Sequence, residues 1–312
     1  MYVFKKIDDE SYSDIKLLYH SCFALNEHLS VIKKKYSTDF VGIKNVGYFA
    51  KDENGNSVSY YGVFPAILRY ESDDYLVAQS GDTMTSPLHQ KKGLFTSLAK
   101  QTYQLSLQNG IKFVFGFPNI NSYPGFKNKL DWVFFGNMQK FTINVFTLPI
   151  CELSSKWKFL NPLYHLFVES KLKKYKIEPR NIDFSLFNYS EVKGFIKKDI
   201  HFLNYKLANK NNFFVEINGF KILLKVDIHL IIGEIEKIAL LDSNRFLKTI
   251  KKLAQILACK KIIFNLSCNH WLYDILNNSL TPSESLPIGF YNIDSSFEFS
   301  EIQFSGADYD TF

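Results

Sequence analysis

Apolar residues recur at helical spacing from Asp14 to about Lys35, through Ile15, Leu18, Tyr19, Cys22 and Phe23, and Ser13 and Asp14 supply capping oxygens at the start. One helix with a single buried stripe is predicted there. Gly47 to Lys51 and Ser57 to Tyr70 are then rich in aromatic and β-branched residues, and the intervening Asp52-Glu53-Asn54-Gly55-Asn56 carries an Asn-Gly step. That combination predicts an antiparallel hairpin. A third strand is expected from Tyr75 to Ser80, then a helix that begins near Gly93 and stops at Asn109-Gly110, where glycine can take the left-handed cap. Ile111 to Phe117 is almost wholly apolar, as suits a strand covered on both faces.

After Cys151 the pattern changes to a Trp/Phe/Lys-rich amphipathic stretch, Trp157 to Lys174, which predicts a connecting helix or helical pair. Beyond it lie strands from Phe213 to about Ile238, a helix from Ser243 to about Ala258, and a buried strand Lys261 to Leu266. A short helix around His270 to Asn277 and further strands close the chain. The second half therefore repeats the element order of the first. The predicted class is α/β (α+β), two mixed central sheets flanked by helices: an N-terminal domain 1–148, a helical linker 149–180 and a C-terminal domain 181–312.

Composition narrows the partners. A chain of 312 residues with 46% hydrophobic content fills two ordinary cores. The aromatic share of 16% is spread along the whole chain, so most rings belong to core or pocket walls and do not indicate nucleic acid. A net charge of +6, with lysines interleaved among nearly as many acids, suits a small phosphorylated ligand as well as any polyanion. No stretch approaches ~20 apolar residues, and Met1 to Glu10 turn acidic early, so neither a membrane span nor a secretory signal is expected and the cytoplasm is the expected compartment. Cys22, Cys151, Cys259 and Cys268 form no C-x-x-C pair, which suits reduced thiols. Cys259, Cys268 and His270 match no zinc spacing, and no metal is expected.

The informative run is Thr83-Met84-Thr85-Ser86-Pro87-Leu88-His89-Gln90-Lys91-Lys92-Gly93-Leu94-Phe95-Thr96, set between a strand and a helix start. Unpaired backbone N–H groups and the positive end of the helix dipole make such a start an anion site. Gly93 allows close approach to the backbone, and Gln90, Lys91 and Lys92 add donors and positive charge. Leu94, Phe95, Leu98, Ala99 and Tyr103 share a face that can pack on the sheet.

At these residues the chain resembles the GNAT superfamily of N-acetyltransferases, whose pyrophosphate signature is Gln/Arg-x-x-Gly-x-Gly/Ala after the fourth strand. Gln90, Lys91, Lys92, Gly93 and Leu94 match it, and Phe95 replaces the final small residue. The resemblance extends over roughly residues 1–145. It implies tandem GNAT folds with a degenerate second copy, and acyl-coenzyme A as cosubstrate. Thr83, Met84, Thr85, Gln90, Lys91, Lys92, Gly93, Leu94, Phe95, Thr96 and Asn119 would then contact the cofactor, Asn119 either there or as a cap of the following turn. The resemblance also implies a splayed opening between the strand ending at Thr85 and the strand Ile111 to Phe117, where a backbone N–H of Met84 or Thr85 polarises the acyl carbonyl. Family members often place a tyrosine donor for the leaving thiolate where this chain has Lys127. Tyr123, one helical turn earlier, is the candidate donor, with Asp82, His89 or an ordered water as candidate base.

The second half lacks a Gly-containing basic turn before its helix at Asp242-Ser243-Asn244-Arg245, so no second cofactor is expected. Its strand end, Asn265-Leu266-Ser267-Cys268-Asn269-His270-Trp271, gathers polar and aromatic groups where α/β sites collect. Asn265, Asn269 and Trp271 are acceptor-site candidates, with Asn269 alternatively a helix cap. The Gly81 to Pro87 entry and the Pro118-Asn119-Ile120-Asn121-Ser122-Tyr123-Pro124-Gly125-Phe126 loop resemble bacterial sugar N-acyltransferases. These act on nucleotide-linked amino sugars for surface polysaccharide, here of dTDP-3-amino-3,6-dideoxyhexose type. Asn121 is a further substrate candidate, and Tyr123, Trp132 or Trp271 would stack on base or sugar. The implied partners are small molecules, without nucleic acid, and the chain a monomer or weak dimer. Competing readings are aminoacyl transfer to a peptidoglycan precursor, for which Lys171-Leu172-Lys173-Lys174 is the one basic tract, and a non-catalytic acyl-CoA or nucleotide-sugar binding module.

Overall fold

The computed structural model describes residues 1–181 and 192–312. Residues 182–191, at the start of the expected C-terminal domain, lie outside them. The chain opens with strand β1 (Val3–Lys6), helices α1 (Tyr12–Phe23) and α2 (Leu29–Lys35), and strands β2 (Val46–Lys51), β3 (Ser57–Tyr70) and β4 (Asp73–Thr85). Helix α3 (Leu94–Gln108), strand β5 (Phe113–Gly116), helix α4 (Tyr123–Lys129) and strand β6 (Val133–Asn144) follow. Next come α5 (Ile150–Lys156), α6 (Asn161–Leu172), β7 (Gly194–Ile196), α7 (Ile200–Leu207), β8 (Asn212–Ile217), β9 (Phe220–Val226) and β10 (Leu230–Ile235). Helix α8 (Ser243–Ile256), strand β11 (Lys261–Leu266), helix α9 (Leu272–Asn277) and strand β12 (Ser283–Asn292) lead to the C-terminal segment.

Two elements depart from the sequence expectation. The single helix predicted over Asp14 to Lys35 is two helices, because Ala24 turns into the left-handed region (φ 54°) and its N–H caps the carbonyls of Tyr19 and His20. The third strand runs on past Ser80 to Thr85, since Gly81, Met84 and Thr85 keep pairing with Gly62, Tyr60 and Ser59 of β3.

The chain forms two compact units. Unit 1 comprises Met1–Gly136, Gly194–Lys197 and Leu286–Ser300, and unit 2 comprises Asn137–Lys193, Lys198–Ser285 and Glu301–Phe312. They are not the contiguous blocks 1–148, 149–180 and 181–312, and the strands give the reason. Unit 1 carries the sheet order β1-β2-β3-β4-β5-β12, antiparallel throughout except for the parallel step from β4 to β5. Unit 2 carries β6-β11-β10-β9-β8, antiparallel except from β10 to β11. Each parallel step is bridged by one helix, α3 or α8. The strand beyond that step is exchanged: β6 follows α4 but lies on β11, and β12 follows α9 but lies on β5.

In unit 1, α3 buries Leu94, Leu98, Ala99 and Tyr103 against Val46, Tyr61, Val63, Ala78 and Val114 on one sheet face. The opposite face carries Phe49, Tyr60, Phe64 and Met84 under Ile15 and Leu18 of α1 and Ile32 of α2. Burial of one such leucine or isoleucine contributes about 2 kcal/mol. Unit 2 repeats the scheme, with Phe246, Ile250 and Leu253 of α8 against Ile222, Leu224, Ile232 and Phe264, and with Tyr164, Val168 and Leu172 of α6 joining the same core.

Unit 2 also buries a charged cluster whose members lie far apart along the chain. Lys198, Glu234, His270 and Asp308 are all buried; the Lys198 ammonium binds Asp308 and lies 3.8 Å from Glu234, and His270 Nε2 lies 3.8 Å from Glu234. Burial opposes the charge on Glu234, yet the neighbouring His270 and Lys198 outweigh it and hold its carboxyl below the usual range. A depressed carboxyl stabilises the fold above its unfolded pKa, and that contribution drains away as pH falls through the folded value. Acid titration followed by circular dichroism should therefore show stability falling below about pH 4.3, the unfolded glutamate value. Glu234→Gln should be less stable at neutral pH and flatten this decline; an unchanged acid slope would show that Glu234 does not contribute.

Candidate active site

The parallel pairing of β4 with β5 covers only Ala78 with Val114 and Gln79 with Phe115. Beyond that point, Ser80 to Thr85 continue on β3 alone, so β4 and β5 part at Ser80. Between Gly81 and Met84, β4 holds one residue more than β3 holds between Gly62 and Tyr60. This is a β-bulge, and Asp82 within it takes φ 51°. A bulge withdraws backbone from the ladder and re-aims its N–H and C=O groups.

Asp82 is fixed from α2. Its Oδ1 accepts from Lys35 Nζ at 2.7 Å and its Oδ2 from the Tyr36 hydroxyl at 2.9 Å, and its side chain is 6% exposed. Burial, reinforced by the Asp82 charge, pushes the Tyr36 phenol well above its usual pKa, so it stays protonated and donates. With both oxygens engaged, Asp82 is suited to holding the bulge rather than to accepting a proton. Met84 is buried, its carbonyl accepting from Ser59 Oγ at 2.9 Å, while Thr85 Oγ1 lies 2.8 Å from the same hydroxyl. Thr83 is half-buried. Burial pushes the Cys22 thiol of α1 up, and hydrogen bonding from Ser21 and then from the Thr85 backbone eases it back.

At the mouth of the opening the chain turns through Pro87 to His89 and Gln90, with Lys91 at φ 61° and Gly93 at φ 77°. Gly93 is the N-cap of α3, and a Cβ built on it meets nothing within 4 Å. The first intrahelical bond runs from Ser97 N–H to the Gly93 carbonyl at 3.1 Å, which leaves the N–H groups of Leu94, Phe95 and Thr96 at the helix mouth. Gln90 ties back by Nε2 to the Thr85 carbonyl at 3.3 Å. His89 is engaged through Nδ1 with the Tyr2 hydroxyl at 2.9 Å, and the Lys92 ammonium stands 5.9 Å from the same tyrosine ring. From Ser80 to Thr85 the opening runs about 17 Å at ~3.3 Å per residue, a span suited to an extended thiol-bearing arm.

Phe95, the departure from the signature, packs edge-on against Phe126 at 5.2 Å and lies over Gly125, where any Cβ would crowd it. The large side chain thus turns away from the turn and onto α4. Asn119 caps that helix's entry: its Oδ1 accepts from the N–H groups of Asn121 and Ser122 at 3.0 and 3.1 Å. Asn121 is exposed. Tyr123 is half-buried on Phe134 at 4.6 Å, and the Lys127 ammonium lies 5.6 Å from its ring. Among the described residues its hydroxyl has no hydrogen-bond partner.

Trp132, a stacking candidate in the sequence, is buried instead, with Nε1 donating to the Tyr103 hydroxyl at 2.8 Å. That hydroxyl lies 2.9 Å from Tyr61, whose own oxygen lies 2.9 Å from Ser80 Oγ. Sequence reasoning missed this chain, which ends where β4 and β5 part. Its signal was two tyrosines at core positions, since a buried phenol demands a partner.

The second-half candidates lie in unit 2. Asn265 sits on β11 opposite Lys140, and Asn269 Oδ1 accepts from Ser267 Oγ at 2.6 Å. At the N-terminus of α9, His270 Nδ1 accepts from Leu272 N–H at 3.2 Å. Trp271 is half-buried against the unit 2 core. Strand β10 has its own irregularity at Gly233, but the chain's C-terminal segment fills the ground beyond the last β10–β11 pair. Ser305 pairs with Leu266, Gly306 backs on Ile232 and Gly233, and the Phe312 ring lies where a Gly233 Cβ would point.

A parallel strand pair that parts at a bulge, with a glycine turn and a free helix start at its mouth, defines an acyl-transfer fold of the GNAT type. Residues 3–135, which lie within unit 1, match the family model described as acetyltransferase (GNAT) domain. Among solved structures, a GCN5-related N-acetyltransferase from Kribbella flavida aligns with TM-score 0.65 at 10% identity, over 94% of this chain and 71% of that one. N-myristoyltransferase of Saccharomyces cerevisiae with bound myristoyl-CoA aligns with TM-score 0.59 at 11% identity, over 93% and 82%. A putative acetyltransferase from Pyrococcus horikoshii aligns with TM-score 0.53 at 10% identity, over 96% and 92%. At these identities the likeness is one of fold, and the fold is a tandem GNAT with a mixed sheet in each copy. No curated protein matches the sequence. Among the described residues no helix is long and apolar enough to cross a membrane.

Proposed function

We propose that the chain transfers an acyl group from acyl-coenzyme A to the primary amine of a nucleotide-linked amino sugar of dTDP-3-amino-3,6-dideoxyhexose type, for surface polysaccharide. The observation that carries the acyl-CoA half of this reading is the opening itself: β4 and β5 part at Ser80, and beyond the end of β4 the open Gly93 turn presents the N–H groups of Leu94, Phe95 and Thr96. Acyl-coenzyme A supplies an activated thioester. Leu94, Phe95 and Thr96 bind its pyrophosphate through backbone N–H groups, and Lys91 and Lys92 neutralise part of its charge. The Met84 N–H polarises the acyl carbonyl, with Asp82 holding the bulge that aims it. Tyr123 donates a proton to the departing thiolate, and water takes the proton of the amine. The sugar half rests on the likeness of the Gly81 to Pro87 and Pro118 to Phe126 stretches, with exposed Asn121 offering an amide to sugar hydroxyls.

Thiol release from acetyl-coenzyme A, assayed across dTDP- and UDP-linked amino sugars and simple amines, tests the reading. Turnover is expected with a dTDP-linked 3-amino sugar, and release confined to other amines would overturn the acceptor assignment. Tyr123→Phe should lower kcat about a hundredfold, the lower end of proton-transfer contributions, with coenzyme A affinity unchanged. Full activity in that variant would leave Tyr123 a packing residue on Phe134.

A further inference from the structure

Unit 2 presents a face that its own core does not explain. In α6 the residues Tyr164, Val168 and Leu172 form the buried stripe, so the opposite side should be polar. Instead Leu163 and Leu166 stand there at 65% and 62% exposure. In and beside α5, Leu153 and Trp157 face solvent, Phe159 is 73% exposed and Phe146 is 99% exposed. Trp157 and Phe159 stack on each other at 6.2 Å with nearly parallel rings. An exposed aromatic and aliphatic set of this density marks an interaction site.

The charges around it are of one sign. Both nearby acids are turned to other groups: Glu152 accepts from the Lys260 N–H and faces His229, and Glu169 pairs with Lys176. Lys156, Lys171, Lys173 and Lys174 are exposed, and among the described residues none of them makes an ion pair. Lys173 and Lys174 continue the solvent side of α6 directly beyond Leu166. A lipid headgroup layer accepts separate side chains exposed by half to three quarters, as Trp157, Phe159 and Leu166 are, and anionic lipids complement the lysines.

We propose that the α5–α6 face of unit 2 docks on an anionic lipid surface, with Trp157, Phe159 and Leu166 entering the headgroup boundary and the lysines meeting lipid phosphates. This is independent of the acyl-transfer reading, since none of these residues belongs to that site.

The test is sedimentation of the full chain with vesicles of phosphatidylcholine alone or mixed with phosphatidylglycerol. Binding to the mixed vesicles only, weakened by added salt and accompanied by a blue shift of tryptophan emission, is expected. Lys173→Gln with Lys174→Gln should weaken it roughly 25-fold, at roughly fivefold per lysine. Trp157→Ala with Phe159→Ala should reduce it at least as much with melting temperature unchanged. If the aromatic pair melts early, the lysine pair decides the matter alone. Absence of vesicle binding by the unaltered chain overturns the proposal. So does binding that both double variants retain, and so does self-association through Trp157 and Phe159 without lipid binding, which would make the occupant a second copy.

Discussion

Replacing Gly93 with aspartate is expected to raise the dissociation constant for coenzyme A about a thousandfold. A carboxylate there would stand beside a diphosphate, and like unit charges 4 Å apart at an effective dielectric of 20 repel by about 4 kcal/mol. Part of any loss comes from the backbone, since φ 77° strains a residue with a Cβ by about 1 kcal/mol. Gly93→Ala shares that strain and meets no neighbour within 4 Å, so the difference between the two variants isolates the charge. Calorimetric titration measures it, and equal affinities for the alanine and aspartate variants would mean that phosphate does not sit at this turn. The gap should narrow at high salt, because the turn is exposed.

Asp82→Asn is expected to lower stability by about 3 kcal/mol and to reduce turnover together with it. The change removes the carboxylate from a largely buried ion pair, so the Lys35 ammonium loses that partner. Chemical denaturation gives the first quantity. The second distinguishes anchor from base: loss of a positioning residue lowers kcat without moving the pH profile, whereas loss of a base removes the acidic limb. A double change, Asp82→Asn with Lys35→Met, should regain part of the stability, because the desolvated ammonium is removed along with its carboxylate partner. If it regains nothing, the pair does not secure the bulge.

Regular elements were legible wherever local signals agreed. The hairpin at Asn54-Gly55, the cap at Asn109-Gly110 and the apolar run of β11 each rest on residues adjacent in sequence, and the structure places each within two residues of its expected position. The break at Ala24 was not legible, because Leu25, Leu29 and Ile32 continue the stripe of Leu18 and Cys22 at helical spacing and alanine carries no turn signal. The turn at Gly93 was readable from its residue types and its place between strand and helix. The bulge at Asp82 was not, since a bulge is a mismatch between two strands and appears only when both are aligned. Lys35, Tyr36 and the Tyr61 to Ser80 chain were missed for the same reason: each partner is remote in sequence. Phe95 read only as a departure from the signature, and its contact with Gly125 explains how it fits.

The exchange of β6 and β12 reaches beyond geometry. A fragment ending at residue 148 would contain the whole matched acetyltransferase domain yet lack the strand that covers Phe113 to Gly116. Its β5 edge would offer bare amide and carbonyl groups to any other chain, the usual route to aggregation. A duplicated fold whose copies have traded a strand can no longer be divided by a nick, a frameshift or a cloning boundary, so selection acts on the pair as a single unit even where only one copy performs chemistry.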